Sequence, residues 1–246
     1  LANKLYKFSQ NRNSEDEISK EFGVKSSTDF NIQKAQTELS KVDIEKEIIK
    51  CNYRPFETKY IYFDKIVVDR PRKELLIHSK NKENIILGIG RQGMAVGDIQ
   101  WCLTTVSKNP VDANMFRRGG VNLFPLYLYP ETKGQQTIVQ TTERIPNLNS
   151  EIVKEIAKKI SLTFTNEKEI TKDTFAPIDI LNYIYAVLHS PTYREKYKEF
   201  LKIDFPRIPY PKDKDTFWTL AKLGGEIRQI HLLESPTIEK YITQYP

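Results

Sequence analysis

Ile85-Ile86-Leu87-Gly88-Ile89-Gly90-Arg91-Gln92-Gly93-Met94-Ala95-Val96-Gly97-Asp98 is the stretch on which the fold turns. It fits Gly-x-Gly-x-x-Gly behind an apolar run. A dinucleotide-binding fold would need that turn to open a helix whose N-terminus holds the pyrophosphate. Here Met94, Ala95 and Val96 run at once into Gly97 and Asp98, and another strand-like segment follows at 101–106. No strand–helix–strand alternation surrounds it, so the glycines read as strand ends and a tight turn in a β-rich region.

Working outward, β-branched and aromatic runs bounded by Pro, Asn and Gly predict strands at 60–63, 66–68, 85–89, 101–106, 121–129 and 137–140. Lys108-Asn109-Pro110 and Arg118-Gly119-Gly120 supply turns. Residues 3–50 are polar, with apolar positions at helical spacing in Ile32, Ala35, Leu39 and again in Val42, Ile44, Ile48 and Ile49. These predict a short helix over 31–40 and another before Cys51. Beyond residue 149 the period is helical. Ile152, Ile156 and Ile160 follow Ser150 as an N-cap, Pro177 opens a helix over 177–188, and Ser190-Pro191 interrupts it before a segment over 192–201. Three prolines make 205–211 an extended strap, and a last helix is expected over 215–233.

The chain has 246 residues, 39% apolar and 28% charged, as in globular proteins with a sizeable core. No apolar run is long enough to span a membrane and no signal peptide is legible, so a cytoplasmic protein is expected. Residue 1 is Leu and the opening is polar, which reads as a piece of a longer polypeptide. Residues 50–133 hold 14 Lys and Arg against 8 Asp and Glu, a surplus equal to the whole chain's net charge of +6. The basic third is also the β-rich third, as a phosphate backbone would favour.

Other chemistry finds little support. Cys51 and Cys102 form no CxxC pair, and His78, His189 and His231 form no metal-binding pair; the last two read as cap or dipole partners of helix ends. Glu57-Thr58-Lys59 and Glu131-Thr132-Lys133 resemble half of a metal-dependent nuclease site, but such strings are common in a Lys-rich chain. A methyltransferase's Gly-rich cofactor loop and Asn-Pro-Pro-aromatic string are absent.

Tyr53-Arg54-Pro55-Phe56-Glu57-Thr58-Lys59-Tyr60-Ile61-Tyr62 and Val68-Asp69-Arg70-Pro71-Arg72-Lys73-Glu74 resemble the opening of the C-terminal specificity region of Type ISP restriction-modification enzymes and related adenine methyltransferases. The resemblance continues through Arg91-Gln92, Phe124-Pro125-Leu126-Tyr127-Leu128-Tyr129, residues 179–191, Tyr193-Arg194-Glu195-Lys196-Tyr197, Phe205-Pro206-Arg207-Ile208-Pro209, Leu223-Gly224 and His231-Leu232-Leu233-Glu234. Two positions depart from the pattern: Glu57 and Lys59 stand where Asp and Arg are usual, and Lys lacks Arg's bidentate fork.

The resemblance implies an α/β (α+β) fold: a helical lead-in over 1–50, a twisted β-rich target-recognition body over 51–148, and a helical spacer or docking section over 149–246, with 51–246 one compact unit. It implies a partner in double-stranded DNA and another in an upstream methyltransferase domain of the same polypeptide. No cofactor or metal is expected in this part; S-adenosylmethionine, with Mg²⁺ and ATP, would serve the parent enzyme. Candidate DNA contacts are Arg54, Arg70, Arg72, Lys73, Arg91, Gln92, Asn114, Arg117 and Arg118, since Arg reads guanine, Gln reads adenine and both cations hold phosphates. Arg54 and Arg70 sit in shared motifs and suit structural or phosphate roles. Arg117-Arg118-Gly119-Gly120 matches no shared motif and is the better place for base readout. The aromatics Tyr183, Tyr185, Tyr193, Tyr197 and Trp218, at helical spacing among Leu and Ile, read as packing. The rivals are a local nuclease site on Glu57 or Glu131, and a purely structural docking module.

Overall fold

The computed structural model describes residues 1–28, 30–68, 73–91, 100–116, 120–130 and 143–240. Three helices open the chain: α1 Ala2–Gln10, α2 Glu15–Phe22 and α3 Ile32–Leu39. Only α3 is foreseen by periodicity. Asn31 caps it, its side chain accepting from the Lys34 N–H. Phe8, Ile18, Phe22, Ile32, Ala35 and Leu39 close on one another and on Ile44 and Tyr62 as a core of their own. Gln36 fastens α3 to α1, donating through Nε2 to the Phe8 carbonyl at 2.7 Å.

The helix expected before Cys51 does not form. Ile44–Glu47 makes one 3-10 turn and the chain extends into β1, Ile48–Arg54, which pairs antiparallel with β2, Glu57–Tyr62. Ile48 and Ile49 are β-branched and belong to a period-two pattern in which Ile49 and Cys51 are buried, so strand pairing wins over helical spacing. Residues 66–68, expected as a strand, instead turn on Asp64, whose Oδ1 accepts from the Ile66 N–H. A short helix, α4 Lys73–Leu76, follows.

β3, Ile86–Gly90, is the middle strand of an antiparallel sheet between β4, Thr104–Ser107, and β5, Val121–Pro125. Gly88 therefore lies inside the strand, while Gly90 is its last residue, as expected of a strand end. A Cβ on Gly88 would stand 2.8 Å from Thr105 Cγ2 and 3.0 Å from Val121 Cγ2, so the glycine answers a packing demand. β6, Tyr127–Leu128, pairs with β7, Ile145–Pro146; the strand expected at 137–140 lies outside the described residues.

α5, Ser150–Ile160, is capped by Asn149 rather than Ser150: the amide oxygen accepts from the Glu151 and Ile152 N–H groups. β8, Thr163–Phe164, and β9, Thr174–Phe175, form a short parallel pair. Then come α6 Pro177–His189, α7 Pro191–Lys196, α8 Lys198–Leu201 and α9 Lys214–His231. Ser190 ends α6 and caps α7, accepting from the Tyr193 N–H. α6 and α9 cross so closely that a Cβ on Gly224 would lie 1.8 Å from the Asn182 carbonyl oxygen.

Leu87, Ile89, Leu103 and Val106 of the sheet share one apolar core with Ile156, Leu181, Tyr185 and Phe217 of the helices, giving the expected α/β class. The strap is pinned by two tyrosines, Tyr183 Oη donating to the Pro209 carbonyl at 2.8 Å and Tyr193 Oη to the Arg207 carbonyl at 2.9 Å. Tyr183, Tyr185 and Tyr193 are buried and so pack rather than offer platforms to bases. Among the described residues no helix is long and apolar enough to cross a membrane.

Candidate nucleic-acid interface

The β1–β2 hairpin is a two-stranded ribbon with a largely exposed second strand. Its tip, Pro55-Phe56, is a two-residue loop with Phe56 at φ 63°, a value that side-chain-bearing residues seldom adopt. Phe56 is 65% exposed and its ring stands edge-on to His231 at 6.0 Å. Behind the tip, Tyr53 lies under two cations, the Arg54 guanidinium at 3.8 Å and the Lys59 ammonium at 3.7 Å. Glu57, raised as a nuclease candidate, pairs with Lys59 at 3.2 Å. Among the described residues no group of three or more His, Cys, Asp or Glu is placed to hold a metal, and Glu131 lies outside them.

Two candidate residues meet at one carboxylate. Arg54 Nη1 donates to Asp112 Oδ1 at 2.9 Å, and the same oxygen accepts from the Asn114 N–H at 2.8 Å. The ribbon is fixed to this turn by backbone bonds too, Asn52 N–H to the Pro110 carbonyl at 2.8 Å and Asp112 N–H to the Asn52 carbonyl at 2.9 Å. Burial, with Asp112 adding to it, pushes the neighbouring Cys51 thiol up to about 11, so it stays protonated.

Arg91 is exposed one residue beyond β3, its guanidinium 5.5 Å from the Phe205 ring of the strap. Gly90 pairs with Val121, so Arg91 and Gly120 leave the sheet at the same end. Lys73 opens α4. Arg70, Arg72, Gln92, Arg117 and Arg118 lie outside the described residues.

A cleft of about 810 Å³ separates the ribbon from the ends of α6 and α9. Lys50, Asn52, Arg54 and Thr58 line it from the ribbon, Cys102 and Thr104 from the approach to β4, and His189, Arg194 and His231 from the helices. His189 and His231, distant in sequence, stand 5.1 Å apart. His189 Nδ1 is 2.9 Å from the Tyr185 carbonyl oxygen, and Tyr185 Oη is 2.7 Å from His231 Nδ1. Burial lowers His189 to about 4 and lowers His231 as well, Arg194 adding to both shifts. Both imidazoles are therefore neutral near pH 7, so their role at these helix ends is hydrogen bonding rather than charge. Sequence reasoning missed this cleft because its walls, the ribbon, the approach to β4 and the ends of α6 and α9, come from segments far apart in the chain.

A comparison of the sequence with curated proteins gives no significant match. Solved structures with a similar fold include the ATP-dependent Type ISP restriction-modification enzyme LlaBIII bound to DNA, at a TM-score of 0.62 and 19% identity over 94% of this chain and 14% of that one. The DrdV–DNA complex gives 0.61 and 21% over 99% of this chain and 21% of that one. A nuclease-deletion mutant of the Type ISP enzyme LlaGI in complex with a DNA substrate mimic gives 0.52 and 21% over 94% and 18%. The chain thus spans about a fifth or less of these polypeptides. The family described as the Type ISP C-terminal specificity domain matches residues 1–246, and the chain belongs to that family.

Proposed function

We propose that this chain selects the DNA sequence on which a Type ISP restriction-modification enzyme acts, and that catalysis resides elsewhere in that enzyme. The match of all 246 residues to the specificity-domain family carries the reading. The geometry supports it: an exposed two-stranded ribbon, in the basic third of the chain, has the dimensions that enter a major groove. Arg54, engaged with Asp112 and Tyr53, suits orientation of the ribbon or a phosphate contact. Asn114, Arg117 and Arg118 are the readers of choice, since they match no shared motif, while Arg91 and Gln92, which stand in one, suit backbone contact; Arg91 and Gly120 leave the sheet at the same end. Arg70, Arg72 and Lys73 would hold backbone. The parent enzyme would be a site-specific adenine methyltransferase that uses S-adenosylmethionine, with ATP and Mg²⁺ for cleavage, all bound outside these residues. The helical section would dock the module on the methyltransferase, in a cytoplasmic enzyme.

Methylation mapping of DNA from cells expressing the complete polypeptide, with this region exchanged for a relative's, tests the reading. The methylated sequence is expected to follow the exchanged region. An unchanged sequence would make the chain a docking module. Arg117→Ala and Arg118→Ala are expected to alter relative rates among sites, whereas a uniform loss would mark phosphate contacts.

A further inference from the structure

We infer that Arg194 is a seat for a backbone phosphate of duplex DNA, in the cleft between the β1–β2 ribbon and the ends of α6 and α9, with Lys50 of the ribbon lining the same cleft. The inference rests on the target-recognition reading and adds a contact from the helical section, where the sequence points only to packing.

The argument begins with which charges are already met. Four cations line the cleft, Lys50, Arg54, Lys108 and Arg194. Arg54 is paired with Asp112 and Lys108 with Glu234. Arg194 and Lys50 have no carboxylate partner among the described residues. For Lys50, exposed on the ribbon, that is ordinary. Arg194 differs, because it is only partly exposed and water does not fully solvate it. A half-buried cation without a counterion is costly unless something supplies the negative charge.

Among the described residues the guanidinium makes one hydrogen bond, Nε donating to the Leu188 carbonyl at 2.7 Å, and it stands 5.7 Å from the Trp101 ring. That bond caps the end of α6 and uses one donor of five. The terminal nitrogens keep the planar fork that accepts two oxygens of a phosphate at once. Among the described residues no carboxylate pairs with it. His189 and His231 are neutral, the Tyr185 phenol near the guanidinium is uncharged, and Glu234 is held by Lys108. Thr104 Oγ1, buried in the wall of the same cleft, also has no hydrogen-bond partner among the described residues. A phosphodiester fits this chemistry because it brings one diffuse negative charge and acceptors only.

The test uses the complete polypeptide and two duplexes, one bearing the methylated site and one lacking it, with affinity measured against salt. Arg194→Gln is expected to weaken both duplexes alike, roughly tenfold, and to reduce the slope of log K against log salt by about 0.9. Lys50→Gln is expected to do the same more weakly, and Arg194→Lys to retain the slope. The exposed Cys102 thiol gives an independent readout: bound duplex is expected to slow its alkylation, followed by mass spectrometry of its peptide. An Arg194→Gln enzyme with unchanged affinity and slope overturns the seat, as does a wild-type complex in which Cys102 reacts as fast as in free enzyme. Should Arg194→Gln fail to fold, Cys102 protection in the wild type decides. Wild-type preference for the site-bearing duplex judges target recognition separately, so the two ideas fail by different measurements.

Discussion

The Arg54 guanidinium and the Asp112 carboxylate, 2.9 Å apart and 58 residues distant in sequence, join the ribbon to the turn that leads toward Arg117 and Arg118. Both side chains are about one-third exposed, so the pair contributes less than a buried one, while Asp112 also caps the turn through the Asn114 N–H. Asp112→Ala is expected to destabilise the 246-residue chain by about 1–2 kcal/mol, and Arg54→Ala by about 0.5–1 kcal/mol. Urea unfolding of the two variants and the double variant checks this. A double variant no worse than Asp112→Ala locates the whole effect of Arg54 in the pair.

Gly224 sits where α9 crosses α6. A methyl group there would overlap the Asn182 carbonyl oxygen, whereas one on Gly225 would meet the end of the Asn182 side chain, Nδ2 at 3.2 Å. Gly224→Ala is expected to cost about 3 kcal/mol or more by forcing α6 and α9 apart, and Gly225→Ala about 1 kcal/mol or less. Thermal unfolding of the two variants gives the order. Equal midpoints would show that the helices shift apart at little cost.

Where local signals agreed with packing, the sequence was legible. Asn31 with Ile32, Ala35 and Leu39 marks α3, and Pro177 and Ser190 bound α6, because cap and stripe point the same way. Ile48 and Ile49 were ambiguous, since Ile44 and Ile48 suggest a helix while Ile49, Cys51 and their pairing with β2 demand a strand. α1 and α2 escaped because each buries few apolar residues, although Ser14-x-x-Glu17 is a capping box that could have revealed α2. Of the candidate site, Arg54 and the Tyr60-Ile61-Tyr62 strand were readable, whereas β1, and with it the ribbon, was not. Arg194 was not, since its unmet charge depends on α7 lying over Trp101, a contact between segments 93 positions apart.

His189 makes stability depend on pH. Its folded value of about 4 lies below the unfolded 6.5, so the unfolded chain binds the extra proton first. The penalty is absent above about pH 6.5, grows as pH falls toward 4 and is constant below. The faces around the ring hold Tyr185, Arg194 and His231; the last shifts in the same direction, and none is an acid that would favour the charged form. Between pH 7.5 and 5 the chain is expected to lose about 1–2 kcal/mol through this group, a loss that His189→Gln should remove. Urea midpoints at the two pH values decide, and an undiminished loss in the variant would assign the dependence elsewhere.

Phe56 occupies the second position of the ribbon turn at φ 63°, where glycine would sit without strain. Holding a side chain there costs about 1–2 kcal/mol, and the edge-on contact with His231 returns about 0.5–1.5 kcal/mol. The two nearly cancel, so Phe56→Gly is expected to leave stability within about 1 kcal/mol of the parent. Stability therefore gives no reason for a 65% exposed ring at this position. A ring projecting from the tip of a ribbon proposed to face DNA does, through contact with sugar or base edges. In the complete polypeptide Phe56→Gly is expected to lower duplex affinity roughly tenfold, as loss of an aromatic anchor does at other interfaces. Phe56→Leu, which keeps the strain but loses the aromatic face, should fall between. Wild-type affinity in Phe56→Gly, with an unchanged unfolding midpoint, would remove Phe56 from the interface and leave its backbone strain without a use.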